Sequence, residues 1–376
     1  MAGLEKQGCL SRQARFRERL RNQSVDAAVI SDPRDIYYFT GLLVPARLPA
    51  CFVLETDGRC WLFAPGERGE QAADECLAYA WNELGTSNPD CLARLGNRLG
   101  ETLKQAFSCG RLGWQAESLP NHLAHVLAGA LGPDDWQAID ANLLEQQQRK
   151  DPDELAVIRE AVRVNLAAYD AAQRVIRPGA SELEVLAAGI GGALLEAGEI
   201  VFHDGDYRCG RLNGPARDRA IERGELYIID AWTCYRGYWS DLSRTFIVGG
   251  EPSELQRSLF RHVAAVQAET AEMLSPGVEG QEIWRRLDRL LREHPALAAT
   301  GLVHHGGHAL GLRAHEMPDI NRDRGGILEP GMVISVEPGA YLAAARYGVR
   351  LENMYLITDS GAENLSEYPV QLFPLV

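Results

Sequence analysis

Residues 226 to 248 read LYIIDAWTCYRGYWSDLSRTFIV, two runs of strand-forming residues on either side of Arg236-Gly237. Leu226 to Ile229 and Arg244 to Val248 are rich in β-branched and aromatic side chains, and the Arg-Gly pair between them carries a turn signal, so the stretch predicts a hairpin. Asp230 ends the first apolar run. Asp241 lies on the returning strand at about the same distance from the turn, so the two carboxylates are expected to face each other. Downstream, Met332 to Val336 and Val349 to Ile357 predict a second strand pair around Ala344-Ala345, with Glu337 and Glu352 placed in the same way. A single acid at a strand end is ordinarily a solvated residue. Four on facing strand ends repel and raise one another's proton affinity, and two divalent cations would balance them charge for charge.

Each hairpin follows a pair of helices. Asp151, Pro152 and Glu154 form a helix start with a capping box and a proline at the first turn, and Leu155, Ile158, Val162 and Leu166 continue it at helical spacing to about Ile176. Ser181 and Glu184 repeat the signal before a helix near Leu183 to Leu195. Further helices are expected at Ser253 to Leu274 and Gln281 to Arg292. The C-terminal region therefore reads as two helices plus a hairpin, given twice. Ahead of it, a helix at Arg15 to Leu20 and strands at Ala27 to Ser31, Ala50 to Leu54 and Trp61 to Phe63 predict a smaller α/β domain. With 376 residues, two cores are expected, divided as 1–148 and 149–376 near the polar stretch Arg149-Lys150-Asp151.

Composition narrows the function. A net charge of -14 repels phosphate backbones and anionic lipid, disfavouring nucleic acid or a membrane as partner. No apolar run approaches the roughly 18 to 20 residues that cross a bilayer. Met1 to Arg19 lacks the apolar centre of a secretory signal, and the eight cysteines form no C-x-x-C pair. Reduced, mostly buried thiols in a soluble cytoplasmic protein are the expectation.

The imidazoles gather in one stretch. His308 sits among Gly306, Gly307 and Gly311, where backbone can approach a site closely, with His304 four residues before it and His315 shortly after. A lone histidine is more often core or surface. Several within one compact loop region suit a metal centre better.

These blocks are recognisable together. Asp230 to Asp241 with Leu242-Ser243-Arg244-Thr245-Phe246, then Gly307-His308-Ala309-Leu310-Gly311-Leu312 with His315-Glu316-Met317-Pro318, then Gly331 to Gly339, then Gly348-Val349-Arg350-Leu351-Glu352-Asn353 resemble the four ligand blocks of the pita-bread metallopeptidases. Asp32-Pro33-Arg34-Asp35-Ile36-Tyr37-Tyr38-Phe39-Thr40-Gly41 is similar to the creatinase-type N-terminal domain that precedes that fold. The resemblance covers nearly the whole chain and implies an α/β (α+β) protein of two domains, like aminopeptidase P, prolidase and creatinase.

What the resemblance implies for chemistry is a dinuclear metal-dependent hydrolase acting as an Xaa-Pro aminopeptidase or Xaa-Pro dipeptidase. Two metals can share a water and present hydroxide to a carbonyl carbon. Asp241 and Glu352 would bridge them, Asp230 would bind one, and His308 with Glu337 the other. Glu337 would also shuttle the proton, while His304 and His315 would contact substrate and the developing oxyanion. Arg350 would orient acidic ligands or meet a substrate carboxylate. A carboxylate-rich set with one imidazole suits manganese, with cobalt, zinc or iron as alternatives. A small peptide or small-molecule substrate and a homodimer are likewise implied.

Two positions depart from the peptidase pattern. Asn213 occupies the place of a substrate-contacting histidine, and Trp232 the place of a small glycine, where it would reshape the pocket. His203 is a candidate for the missing histidine's role. The departures keep two alternatives open: a hydrolase or lyase of a small non-peptide metabolite, and a non-catalytic binding homologue.

Overall fold

A computed structural model describes residues 2–45, 47–66, 71–107, 109–209, 214–345 and 347–374. Asn213 therefore lies outside the described residues. The chain divides into two compact units, Met1–Gln146 and Gln147–Val376.

The first unit runs α1 (Lys6–Asn22), β1 (Ala27–Ile30), α2 (Pro33–Thr40), β2 (Cys51–Glu55), β3 (Cys60–Pro65), β4 (Glu75–Tyr79), the short pair β5 (Asn82–Glu83) and β6 (Thr86–Ser87), α3 (Cys91–Ala106), β7 (Arg111–Trp114), α4 (Asn121–Leu131), β8 (Asp135–Ala138) and α5 (Asp140–Gln147). Its main sheet has the order β4-β3-β2-β1-β7-β8. Helix α1 begins nine residues before the expected Arg15, because its N-terminal turns are held by buried Cys9 and Arg12, the latter donating to the Tyr38 carbonyl at 2.8 Å. Polar residues with buried partners hide that part of the helix from an apolar pattern.

The second unit opens with α6 (Pro152–Gln173) and α7 (Glu182–Ala197), followed by β9 (Phe202–Cys209), β10 (Leu226–Tyr235) and β11 (Tyr238–Ile247). The caps read from sequence are in place: the Glu154 carboxylate accepts from the Asp151 N–H at 2.9 Å, and Ser181 and Glu184 cap each other's backbone. Glu154 also accepts from the Tyr238 hydroxyl at 2.9 Å, tying the start of α6 to the start of β11. Then come α8 (Glu254–Met273), α9 (Gly280–Arg292), β12 (Gly307–Ala309), β13 (Glu316–Ile320), β14 (Val333–Val336), β15 (Gly339–Leu342), β16 (Tyr347–Arg350), β17 (Asn353–Thr358) and β18 (Gly361–Asn364). Each half is larger than two helices and a hairpin. The first adds β9 to give a sheet of order β11-β10-β9, and the second builds a sheet of order β13-β12-β14-β17-β18.

Two register details differ from the sequence expectation. Asp230 stands opposite Ser243, and Asp241 opposite Trp232, so the two aspartates are diagonal neighbours on one face rather than a facing pair. The cause is the turn: Arg236 and Gly237 both have positive φ, at 45° and 84°, and a two-residue turn of that kind fixes which residues pair. The expected strand Val349 to Ile357 is also two strands. β16 pairs with β15 and β17 with β14, in a single continuing register broken between them at Glu337-Pro338 on one side and Leu351-Glu352 on the other. Glu337 and Glu352 thus stand opposite each other in the break.

Arg244 locks this break to the first sheet. It is buried, and its guanidinium donates to the carbonyls of Ser243 (2.8 Å), Glu352 (2.6 Å), Tyr368 (2.9 Å) and Pro369 (3.1 Å) and to the Asn353 side chain (2.8 Å). Few side chains other than a planar five-donor fork can satisfy so many acceptors at once. The Glu352 N–H completes the junction on the Ser243 carbonyl at 3.0 Å. Arg244→Met leaves those buried acceptors unpaired, so unfolding in urea should shift by roughly 3 kcal/mol or more, and an unchanged midpoint would show that the junction is held by other contacts.

Candidate metal centre

The three strands of the first sheet present their side chains in rows, because residues directly opposite in a ladder share a face and alternate residues return to it. One row is Asp206, Asp230 and Ser243; the next is Asp204, Trp232 and Asp241. The opposite face meets α6 and α7, where Ser240 donates to the Ala161 carbonyl and His203 bonds Thr233 and Tyr207 at 2.8 and 2.7 Å. His203 pairs with Thr233, so it belongs to the helix side and not to the acidic face. It does not take the place of a substrate-side histidine.

Glu352 reaches the acidic face through its bridge to Ser243, and Glu337 stands across from it. His308 comes from β12. That strand presses so closely on β14 that a Cβ at Gly307 would sit 2.0 Å from the Ser335 carbonyl oxygen, and Gly307 has φ 147°, so only glycine fits beside His308. Asp241, His308 and Glu352 bring one ligand atom each within 4.8 Å of one another, and so do His304, His305 and Glu337.

The donor set fits a divalent cation. The Asp241 Oδ1 and Glu352 Oε1 atoms are buried with no hydrogen-bond partner, which is costly for a carboxylate unless a positive charge lies beside it. The His308 Nδ1 lies 3.0 Å from the Ala309 carbonyl, an acceptor, so that nitrogen carries the ring hydrogen. Nε2 is then left with a lone pair aimed at the carboxylates of Glu337 (3.8 Å) and Asp241 (3.9 Å). A lone pair facing two carboxylates is repulsive until a cation stands among them.

Asp230 is engaged differently. Its Oδ2 accepts from Arg350 Nη1, whose guanidinium also lies 3.8 Å from both Glu337 and Asp206. Arg350 Nε donates to the Tyr341 hydroxyl at 2.7 Å, and that hydroxyl lies 3.1 Å from His304 Nε2. The His304 Nδ1 faces the His305 carbonyl, an acceptor, so Nδ1 carries the hydrogen, Nε2 accepts, and the chain runs Arg350 to Tyr341 to His304. His315 lies flat on the His308 ring, with centroids 3.7 Å apart and planes 12° apart. Trp232 is half-buried on the acidic face, opposite Asp241.

The structure adds residues that sequence reading passed over. His305 places Nδ1 3.3 Å from Glu337 Oε1, and Tyr341 links Arg350 to His304. Asp204 and Asp206 join the acidic face from β9. Their signal was present as acids two apart in His203-Asp204-Gly205-Asp206-Tyr207, the period of one strand face. His305 adjoins His304 in the sequence, and no local signal distinguishes the two imidazoles.

Burial sets the proton affinities. It is the main cause that pushes Glu337 up to about 8, with Arg350 opposing and Asp230 and Asp206 adding. Asp241 and Glu352 move up too, first by burial and then by the neighbouring carboxylates. Burial holds His304 neutral, down to about 3, with Arg350 reinforcing it.

Four buried acids around a neutral imidazole make a donor set that suits divalent metal. The pattern of metallopeptidase family M24 matches residues 156–359, and that of the creatinase/prolidase N-terminal domain matches residues 12–150. The chain belongs to metallopeptidase family M24, a membership that implies divalent metal ions. An Xaa-Pro dipeptidase of Pyrococcus furiosus is 29% identical over 351 residues, 92% of this chain and 94% of that protein. The prolidase from Pyrococcus horikoshii OT3 superposes with a TM-score of 0.77 at 25% identity, covering 96% of this chain and 100% of that one. Proline aminopeptidase P II from Yersinia pestis shares the fold, with a TM-score of 0.78 at 23% identity over 99% of this chain and 98% of that one. The pita-bread fold with a creatinase-type domain ahead of it, expected from the sequence, is borne out. Among the described residues, no helix is long and apolar enough to cross a membrane.

The raised carboxyls have a sign that can be measured. Glu337 keeps its proton to about 8, whereas an ordinary glutamate loses it near 4.5, so between those values the folded metal-free protein binds a proton the unfolded chain has released. Stability of the metal-free protein should therefore fall as pH rises through that window. Divalent metal expels the proton, so its affinity should rise across the same window. Thermal unfolding of chelator-treated and metal-loaded protein checks both, and a metal-free midpoint that climbs with pH from 4.5 to 8 would contradict the assignment.

Proposed function

We propose that this chain is a dinuclear metal-dependent Xaa-Pro peptidase, hydrolysing the bond before proline in a dipeptide or at the N-terminus of a short peptide. The observation that carries the reading is the pair of buried, partnerless oxygens on Asp241 and Glu352 beside the unprotonated Nε2 of His308. The prolidase and dipeptidase names of relatives that cover the chain end to end support the substrate class.

Asp241 and Glu352 would bridge two ions, Asp230 would hold one, and His308 with Glu337 the other. Bound there, divalent cations would acidify a water to near neutrality and polarise the scissile carbonyl. Manganese suits the oxygen-rich donors. Glu337 would take the proton from the attacking water and return it to the leaving nitrogen, acting first as general base and then as general acid. His315, lying over His308, would face the carbonyl oxygen as it gains charge.

His304 would act through its chain to Tyr341 and Arg350 rather than as a donor, because its one ring hydrogen is committed to the His305 carbonyl. Arg350 would steady Asp230 and keep Glu337 turned toward the reacting bond. Eight cysteine thiols, most of them buried, suit the reducing interior of a cell.

Protein loaded with manganese should cleave a panel of Xaa-Pro dipeptides and Xaa-Pro tripeptides. Binding of two equivalents of metal with no cleavage anywhere in the panel would remove the substrate assignment while leaving the centre. Asp241→Asn and Glu352→Gln should each lose metal stoichiometry and turnover together, measured by elemental analysis and a coupled amine assay.

A further inference from the structure

The acidic face of the first sheet continues outward beyond the metal ligands. After the row of Asp206, Asp230 and Ser243 comes the row of Asp204, Trp232 and Asp241, and after that the row of Phe202, Cys234 and Trp239. Phe202 and Trp239 meet edge to face across Cys234, with ring centroids 5.6 Å apart, and Phe202 remains 52% exposed. Trp232 and Asp204 are half-buried beside them. Three aromatic rings and a carboxylate therefore share one accessible patch. It begins one two-residue step, about 7 Å, from the Asp206-Asp230 row.

Charge counting singles out Asp204. Asp230, Asp241, Glu337 and Glu352 match two divalent cations, and Asp206 lies 3.8 Å from Arg350. Among the described residues, no cationic side chain pairs with Asp204, whose Oδ1 accepts from the neighbouring Gly205 N–H at 2.8 Å. One negative charge is left over, next to an indole and against the edge-to-face aromatic pair. The inner end of its own row is Asp241, whose Oδ1 is buried and partnerless, so the row runs without interruption from the reacting centre to the aromatic patch.

We propose that Trp232, Phe202, Trp239 and Asp204 form a subsite for a small organic cation, an alkylated ammonium or a comparable charged nitrogen group, carried by the substrate. Aromatic faces attract such cations through the ring quadrupole, most strongly for tryptophan, and a nearby carboxylate adds direct attraction. A bulky aromatic at position 232 otherwise only takes up space beside a catalytic centre. With the scissile bond placed at the metal carboxylates, as in the reading above, the separation matches the reach of a lysine or arginine side chain on Xaa. It equally matches the charged end of a small zwitterion.

Binding can be read without turnover, which keeps this test separate from the peptidase assignment. Metal-loaded protein is titrated with tetramethylammonium chloride, sodium chloride at the same ionic strength, and tert-butanol as a neutral counterpart, following tryptophan fluorescence. The expected result is a saturable change with tetramethylammonium alone. Trp232→Leu should weaken it about 2- to 30-fold, the range cation–π attraction spans from exposed to desolvated sites, and Asp204→Asn should weaken it by removing the direct charge attraction, each with metal content and thermal midpoint retained. Asp57→Asn, in the other unit, serves as the charge control and should bind as the parent does. Equal response to the alcohol, or binding unaltered in Asp204→Asn and Trp232→Leu, overturns the subsite whatever the peptide panel shows. Among peptides, KM for Lys-Pro and Arg-Pro should lie below that for Leu-Pro, and the gap should close in Asp204→Asn. A gap that persists there also counts against it.

Discussion

Mutual repulsion among buried carboxylates governs the second unit. Asp230, Asp241, Glu337 and Glu352 are all less than a tenth exposed, and burial favours the neutral forms of Asp241, Glu337 and Glu352. A protein that needed only stability would replace them with apolar residues of similar volume. Here the surrounding contacts work to keep the acids in place: Arg244 pins the Glu352 backbone, Arg350 bonds Asp230, and the two-residue turn at Arg236-Gly237 sets Asp241 diagonal to Asp230. The diagonal leaves a wider opening on that face than a directly facing pair would. Ser243 and Trp232 fill the opposing positions.

The elements that were legible from sequence are those whose signal is local. Capping boxes at Asp151 to Glu154 and Ser181 to Glu184 marked helix starts correctly, and the strand-forming runs around Arg236-Gly237 marked a hairpin. What could not be read is what depends on partners far away in the chain. The split of Val349 to Ile357 into β16 and β17 arises because Glu352 turns its backbone to bridge Ser243, more than a hundred residues earlier. Nothing in those residues taken alone announces the departure.

The candidate site shows the same division. Asp230, Asp241, His308, Glu337 and Glu352 stood out because of residue type and spacing, and the structure brings Asp241, His308 and Glu352 together and sets Glu337 across from Glu352, while Asp230 meets Arg350. Asp204, Asp206 and Tyr341 are tied to them only through ladder register or a hydrogen-bond chain, which a linear reading does not contain. His203 illustrates the reverse error. It is one residue from Asp204, and in a strand a single step turns a side chain to the opposite side of the sheet.

The bridge between Ser243 and Glu352 joins strands that belong to different sheets, one from each half of the unit. Neither half by itself possesses a complete set of donors: the earlier one has two aspartates and no imidazole among them, and the later one has two glutamates and His308. The centre is therefore complete only when both halves are shaped, and an ion held there would act as the rivet between two plates. A cut between β11 and α8 would part the aspartates from His308 and the glutamates, leaving neither piece anywhere to put the rivet.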